Sequence, residues 1–138
     1  MKSIILSAAL SLLLLNCTAQ KNNTPEAVKK SFAKLFPGIT PKWEKENADY
    51  EANFKKDGKE MSAVLGADGV LKETETSIAV NELPQSVRDY VVKQYKNAVI
   101  KEAAKITKAD GTVNYEAEVN HKDVIFDADG KFLKEEKD

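Results

Sequence analysis

The pentapeptide YEANF at Tyr50–Phe54 returns in altered form as YEAEV at Tyr115–Val119. In both stretches apolar and polar residues alternate, which is the period of a β-strand with one buried face and one solvated face. Each stretch follows a proline-led segment of helical apolar spacing and precedes an Asp-Gly turn. Matched positions lie about 60 residues apart, which indicates a unit present twice with small changes in its loops. We expect the two repeats to span residues 24–80 and 83–138.

An amphipathic helix is predicted at the start of each repeat. Val28 and Phe32 begin an apolar stripe at i, i+4, i+7 and i+8 in the first repeat. Thr24 is expected to cap this helix and Pro25 to be its first residue, because threonine and proline are favoured at those positions. A similar, less apolar stripe follows Pro84 and predicts a second helix that packs less deeply.

After each helix the sequence predicts four antiparallel strands joined by tight turns. Aspartate followed by glycine recurs in the turns because glycine accepts a positive φ and aspartate hydrogen-bonds its own backbone. One unit alone has little against which to bury its helix stripe. The predicted fold is therefore α+β, with two tandem helix-plus-four-strand repeats that form one antiparallel sheet and carry both helices on one face. Besides residues 50–54 and 115–119, the predicted strands lie near residues 42–45, 61–65, 70–76, 100–107, 124–127 and 132–135.

The N-terminus has the pattern of an export signal. Lys2 precedes an apolar run of about a dozen residues, which is shorter than the ~20 needed to span a bilayer. Cleavage after residue 19 would give a chain that starts at Gln20, with residues 20–138 as one domain. Alternatively, the residues before Cys17 resemble a lipoprotein box, in which case residues 1–16 are removed and Cys17 is lipidated. The sequence thus predicts a periplasmic or secreted protein, or a membrane-anchored lipoprotein, without a membrane span.

Charge and cysteine content exclude several classes of partner and cofactor. The chain has 21 basic and 22 acidic residues with the signs interspersed, so no electrostatic footprint for nucleic acid or a polybasic membrane patch is present. Cys17 is the only cysteine, which rules out a disulfide within the chain. One histidine and at most one thiol make a zinc or copper site improbable, and no cofactor is expected.

Motifs that could support catalysis or calcium binding have ordinary explanations. His121 is the only histidine and lies in a polar stretch between two predicted strands, so a solvated turn residue is expected. The Asp127-x-Asp129-Gly130 sequence is similar to the start of a calcium loop but has no distal glutamate at the required spacing. We therefore interpret it as a hairpin turn.

Two pairs of carboxylates are spaced two residues apart, Glu44 with Glu46 and Glu116 with Glu118. Residues so spaced on a strand share a face, at a separation near that of an inverting glycosidase pair. Both pairs are predicted on the face opposite the apolar residues, where solvation would leave their pKa values unraised. Glu116 and Glu118 remain candidates for binding or, less favoured, for hydrolysis. Trp43 is interpreted mainly as a core residue that closes the end of the helix, and alternatively as an exposed binding anchor.

The order of these features resembles the PepSY-like family of exported bacterial proteins, which is also described as similar to β-lactamase-inhibitor proteins. The likeness depends on Phe36-Pro37 followed by Trp43-Glu44, on the Tyr-Glu-Ala strand, and on the Phe126–Gly130 hairpin. It covers roughly residues 24–138. The resemblance implies two helix-plus-four-strand units in one curved sheet, and binding or inhibition in the cell envelope rather than catalysis. It assigns no contact residues.

The sequence therefore predicts a non-enzymatic exported module that binds an envelope protein or peptide through its sheet face or hairpin loops. Two alternatives remain. One is an inhibitor or regulator of an exported peptidase or other hydrolase, and the other is a carboxylate-based hydrolase that uses Glu116 and Glu118. The sequence does not identify the ligand, the binding surface or the oligomeric state.

Overall fold

The computed structural model describes residues 23–137. Within this range the chain forms two α-helices and one eight-stranded antiparallel sheet whose strands follow each other in chain order. The sequence-based assignment to an α+β fold with one antiparallel sheet is confirmed. The elements are α1 (Glu26–Leu35), β1 (Lys42–Glu46), β2 (Asp49–Lys56), β3 (Lys59–Gly66), β4 (Leu71–Ile78), α2 (Gln85–Gln94), β5 (Ile100–Lys108), β6 (Val113–Val119), β7 (Lys122–Asp127) and β8 (Phe132–Lys137).

Strand register shows that both helices cover the same face of the sheet. Directly paired residues can be followed across seven strands, and such partners always point to one face. This row begins in the core under α1 and ends in the core under α2. Its members, in order across the sheet, are Phe54, Met61, Thr76, Lys105, Tyr115, Phe126 and Phe132.

Each helix has its own apolar core. In α1, Val28 and Phe32 are buried against Ala52, Phe54 and Leu65 of the first four strands. The equivalent core under α2 is formed by buried residues of β5–β7 and of the helix itself. Helix two therefore buries its stripe as completely as helix one, and the expectation that it packs less deeply is wrong. The buried members of this second core are Leu83, Val87, Val91, Ala103, Ala117, Val119, Val124 and Phe126.

The two α-helices begin just after the prolines that the sequence marked. Pro25 and Pro84 occupy the position before the first helical residue, and neither helix has a side-chain hydrogen bond at that position. The prediction that Thr24 caps α1 and that Pro25 is its first residue is therefore wrong. The reason is that Thr24 is itself buried, and the fixed φ of Pro25 already sets the direction in which the helix starts. The predicted export signal (residues 1–19 or 1–16) and Cys17 lie outside the described residues.

The Asp-Gly turns divide into two kinds, which the sequence does not distinguish. Gly69 (φ +83°) lies against α1, where an added Cβ would be 2.9 Å from the carbonyl oxygen of Ala27. Gly58 (φ +78°) has the same backbone conformation, but an added Cβ would meet nothing within 4 Å. Gly69 therefore has a packing role as well as a conformational one.

Replacing these two glycines separates the two roles. Gly58→Ala is expected to destabilise the fold by about 1 kcal/mol, the cost of a left-handed backbone for a residue with a Cβ. Gly69→Ala is expected to cost about 1 to 2 kcal/mol more, because α1 must move to admit the methyl group. Urea unfolding of both variants measures the difference. Equal losses of stability would show that the contact with α1 has no energetic importance.

Candidate functional site

The face of the sheet that points away from the helices, called the open face below, is rich in acidic side chains. Register pairs Asn53 with Ser62, Ser62 with Glu75 and Glu75 with Ile106, which places these residues on it. Pairing from Ser77 through Ala104 reaches Glu116 in β6 on the same face. The acidic residues that register assigns to the open face are Glu44, Glu46, Asp49, Glu51, Glu60, Glu73, Glu75, Glu116, Glu118, Asp123, Asp127 and Glu136.

Several of these carboxyl groups are buried, although no helix covers them. Glu116 is 2% exposed and Glu118 is 1% exposed, and Glu51 and Asp123 are equally inaccessible. The prediction that this face is solvated is therefore wrong for both Glu116 and Glu118. For the other pair, Glu44 and Glu46, the open face is correct but the exposure is only partial.

Cross-strand neighbours explain this burial. Glu51 pairs with Val64, Glu75 with Ile106, and Glu116 with Ile125. Each carboxyl thus lies beside an apolar β-branched side chain on the adjacent strand, and Ile106 and Ile125 are themselves buried. Cross-strand partners are close enough to exclude water from each other.

The burial changes the acidity of these groups. For Glu116, desolvation and then the nearby carboxylate of Glu75 raise the pKa from 4.5 to about 9. For Glu75, desolvation and then the carboxylate of Glu51 raise the pKa to about 8. Burial also raises the pKa of Glu51 to about 7, although a hydrogen bond with Ser62 acts in the opposite direction. At neutral pH, Glu75 and Glu116 are therefore mainly protonated.

A cavity of about 470 Å³ opens beside these groups at the end of the central strands. It is bounded by residues of β2, β3, β4, β5 and β6 and by the short 3₁₀ helix that precedes α2. The lining residues, hereafter the acidic cavity, are Asn53, Glu60, Met61, Ser62, Glu75, Ser77, Ile78, Ala79, Val80, Lys101, Glu102, Ala103, Ala104 and Glu116.

Glu116 and Glu118 differ in environment despite being two residues apart. The Lys101 ammonium lies 3.2 Å from Oε1 of Glu118, so this carboxylate has a counter-ion. Among the described residues Glu116 has no such ion pair. Both residues have a buried Oε2 atom without a hydrogen-bond partner, so the counter-ion is what separates them. Only Glu116 of the two lines the acidic cavity.

The structure does not bring Trp43 together with the carboxylate pair. Trp43 pairs with Ala52 and packs edge-on against Phe32 of α1, with ring centroids 5.4 Å apart. It therefore lies on the helix side of the sheet and is partly buried there, in agreement with the core interpretation. A binding role for Trp43 stays a prediction.

His121 occupies the two-residue turn between β6 and β7. Both Asn120 and His121 have positive φ angles, and His121 is exposed, as predicted. In the next hairpin, Oδ1 of Asp127 accepts hydrogen bonds from the backbone N–H groups of Asp129 and Lys131. The aspartate thus stabilises its own turn, which is the hairpin interpretation of that motif.

Between residues 23 and 137, no group of three or more histidine, cysteine or acidic side chains has an arrangement suited to a metal ion. In the same part of the chain, neither helix combines the length and the apolarity that crossing a bilayer requires.

Sequence reasoning missed Glu75, which lines the acidic cavity. The alternation of Glu73, Thr74, Glu75 and Thr76 was visible as a strand pattern, but nothing local shows that β4 lies in the centre of the sheet. The available signal was that a strand in the middle of the chain has neighbours on both sides. A glutamate on such a central strand has a cross-strand neighbour on each of the two adjacent strands.

The fold resembles those of several solved proteins from Bacteroides. A BLIP-like protein of Bacteroides fragilis is 26% identical, with a TM-score of 0.65 over 81% of this chain and 85% of that one. A protein of Bacteroides eggerthii, provisionally described as periplasmic, is 16% identical, with a TM-score of 0.73 over 82% and 88%. A DUF2874 family protein of Bacteroides ovatus is 19% identical, with a TM-score of 0.71 over 83% and 88%. No protein-family profile and no curated protein matches the chain.

These similarities define the class to which the fold belongs. The eight-stranded antiparallel sheet with two helices is a BLIP-like α+β fold. None of the three similar proteins is named as an enzyme.

Proposed function

We propose that this protein is a non-enzymatic binding module of the cell envelope that recognises a protein or peptide through the open face of its sheet. The observation that carries the proposal is the acidic cavity, where the buried carboxyl of Glu116 has an oxygen without a hydrogen-bond partner. Such a group is costly for the folded protein unless a ligand can satisfy it.

Localisation and ancestry form part of the same proposal. The predicted export signal and the similarity to a protein described as periplasmic support a periplasmic or secreted location, with lipidation at Cys17 as the alternative. The helix followed by four strands occurs twice in chain order, which supports two copies of one PepSY-like unit.

Binding is favoured over hydrolysis by the chemistry of the acidic cavity. A glycosidase-type reaction needs one carboxylic acid and one ionised carboxylate at the substrate. Glu75 and Glu116 both have raised pKa values, so both are mainly neutral at pH 7. The neighbouring Glu118 is buried, is paired with Lys101 and does not line the cavity.

Inhibition of an exported hydrolase is the second candidate. It is supported by the name of the Bacteroides fragilis protein, which is BLIP-like and 26% identical. An inhibitor of this kind is a binding module whose partner is an enzyme, so the same face would serve both functions. Assays of envelope hydrolases with and without the purified protein test this form of the proposal.

A displayed library of random peptides tests where binding occurs. Ser77 is exposed at the acidic cavity, and Ser77→Arg fills the mouth with a bulky side chain. Gln94→Arg is the matched control, because it adds the same side chain to an exposed position of α2. Peptides selected on the wild-type protein are expected to bind Gln94→Arg equally and Ser77→Arg at least about tenfold more weakly.

A third variant distinguishes the sheet face from the hairpin loops. Thr112→Arg adds arginine to the exposed turn between β5 and β6. If Thr112→Arg loses binding and Ser77→Arg does not, the binding site lies in the hairpin loops and not on the sheet face. A library that yields no peptide sensitive to Ser77→Arg would overturn the proposal for the open face.

A further inference from the structure

We infer that the acidic cavity receives a basic side chain, lysine or arginine, from the bound protein or peptide. This inference rests on the proposed function and specifies the chemistry of its ligand. It depends on three features of the cavity: the predominance of acidic groups in its lining, the unsatisfied oxygen of Glu116, and its apolar walls.

Acidic side chains predominate in the lining. They are Glu60, Glu75, Glu102 and Glu116, and the single basic lining residue is Lys101. The ammonium of Lys101 is already paired with Glu118, and its side chain is about half exposed. Glu60 has an exposed partner at the rim, because Lys55 lies 3.1 Å from it. The inner part of the cavity, around Glu75 and Glu116, therefore presents acidic groups without a basic side chain of their own.

Glu116 provides the second, independent observation. It is 2% exposed, lines the cavity, and leaves Oε2 without a hydrogen-bond partner. A lysine ammonium has three N–H donors and an arginine guanidinium has five. Either group would satisfy that oxygen with a charge-assisted hydrogen bond once the carboxyl has lost its proton.

The remaining walls fit the aliphatic stem of such a side chain. Ile78, Ala79, Val80 and Ala104 line the cavity together with the acids. Lysine and arginine bury their methylene groups on apolar surface and leave the charged end in polar surroundings. A small metal ion would leave these apolar walls unused.

Binding of a cation must change the protonation of the cavity. Glu116 faces the carboxyl of Glu75 on β4, Glu118 on its own strand, Asp123 on β7 and Glu136 on β8. β5 contributes Lys101 and Glu102 to the lining. A bound ammonium favours the ionised form of Glu75 and Glu116, so their protons leave as the ligand enters. Affinity is therefore expected to increase as the pH rises from 6 to 9.

The test uses the purified mature protein and three probes at millimolar concentration. The first is the blocked peptide acetyl-Ala-Ala-Lys-Ala-Ala-amide, the second is the same peptide with acetyl-lysine, and the third is n-butylamine. Carboxyl ¹³C signals of the glutamates report occupancy, and calorimetry in two buffers of different ionisation enthalpy counts released protons.

The lysine peptide is expected to shift the carboxyl signals of Glu75 and Glu116, to release protons at pH 7, and to bind about tenfold more tightly at pH 9 than at pH 6. The acetyl-lysine peptide is expected to leave both signals unchanged. Butylamine that binds as tightly as the peptide would overturn the assignment of the site to a peptide side chain.

Two variants test whether the lysine peptide binds in the acidic cavity. Glu116→Gln conserves shape and is expected to reduce affinity for the lysine peptide about tenfold, while the protein stays folded. Ser77→Arg should mimic the ligand, shift the Glu75 signal in the absence of peptide, and abolish peptide binding.

The two proposals fail in different ways. Library peptides that lose binding to Ser77→Arg are those that require the cavity. If such peptides bind the wild-type protein equally well after every lysine and arginine is replaced by norleucine, this inference is overturned and the proposed function stands. A lysine peptide that leaves the carboxyl signals of Glu75 and Glu116 unmoved would also overturn it. Absence of any peptide sensitive to Ser77→Arg would instead overturn the proposed function.

Discussion

The folded protein is expected to lose stability as the pH rises from about 5 to 9, by at least about 3 kcal/mol. The groups responsible are Glu51, Glu75 and Glu116, whose pKa values are raised to about 7, 8 and 9. In each case burial is the largest cause. Protein stability tends to be maximal between about pH 5 and 8, so a steady decrease across this interval would be distinctive.

The sign follows from proton binding in the two states. In the unfolded chain these carboxyls lose their protons near pH 4.5, whereas in the folded protein they keep them until pH 7 to 9. Between those limits the folded state holds more protons, so stability falls with increasing pH. The stability associated with the neutral groups is fully present below pH 4.5 and is lost as the pH passes through the folded pKa values. Asp110 and Glu135 have lowered pKa values and act in the opposite direction, but both lie at the surface, where solvent screens their interactions.

Thermal unfolding at pH 5, 7 and 9 in constant ionic strength measures the effect. The midpoint is expected to fall by roughly 10 °C or more between pH 5 and pH 9. A midpoint that is constant or that rises over this range would show that the open face is solvated, as the sequence alone predicts. It would also remove the buried carboxyl groups on which the proposed site depends.

The elements of the fold were predictable because their signals are local. The apolar spacing of Val28 and Phe32 indicates a helix without reference to the rest of the chain. The Asp-Gly pairs mark turns through the backbone preferences of two residues. Short turns make sequence neighbours into spatial neighbours within each set of four strands, whereas the pairing of β4 with β5 spans α2 and has no such local signal.

Burial of the acids was not predictable by the same reasoning, because it depends on register between strands. The alternation in Tyr115–Val119 correctly assigns Glu116 to the face opposite the core. Ile125 on the next strand shields Glu116 from water, but neither segment by itself indicates that these two residues pair. The available clue was the uninterrupted apolar run of Val124, Ile125 and Phe126, since a strand apolar on both faces indicates a sheet buried on both faces.

Dependence on register between strands also explains why residue spacing alone suggests Glu116 and Glu118 as one chemical pair. Spacing of two residues places Glu116 and Glu118 on one face, and this is correct. It does not reveal that Lys101 reaches Glu118 and that Glu75, from a distant part of the sequence, shares the cavity with Glu116. The residue that shares the cavity with Glu116 is therefore two strands away, and the glutamate two positions on in sequence is paired with Lys101 instead.

Neutralising these two glutamates is expected to have opposite effects on stability. At pH 9, Glu116→Gln should stabilise the protein by about 2 kcal/mol, because it removes a carboxyl whose ionised form is buried without a counter-ion. Glu118→Gln should destabilise it by about 2 kcal/mol, because it removes the partner of Lys101 from a site that is 1% exposed. The two substitutions are chemically identical and lie on one strand and one face.

Urea unfolding of both variants at pH 5 and pH 9 separates charge from shape. At pH 5 Glu116 is neutral, and replacing one uncharged group with another should change stability by less than about 1 kcal/mol. The stabilisation by Glu116→Gln should therefore appear only as the pH rises, and the variant should flatten the pH dependence of the wild-type protein. If the two variants behave alike at pH 9, Glu116 has a counter-ion or solvent access, and the cavity has no unsatisfied carboxyl to receive a basic side chain. If only Glu116→Gln stabilises, the protein retains at this position an acid that its fold would be better without, as expected of a residue kept for binding.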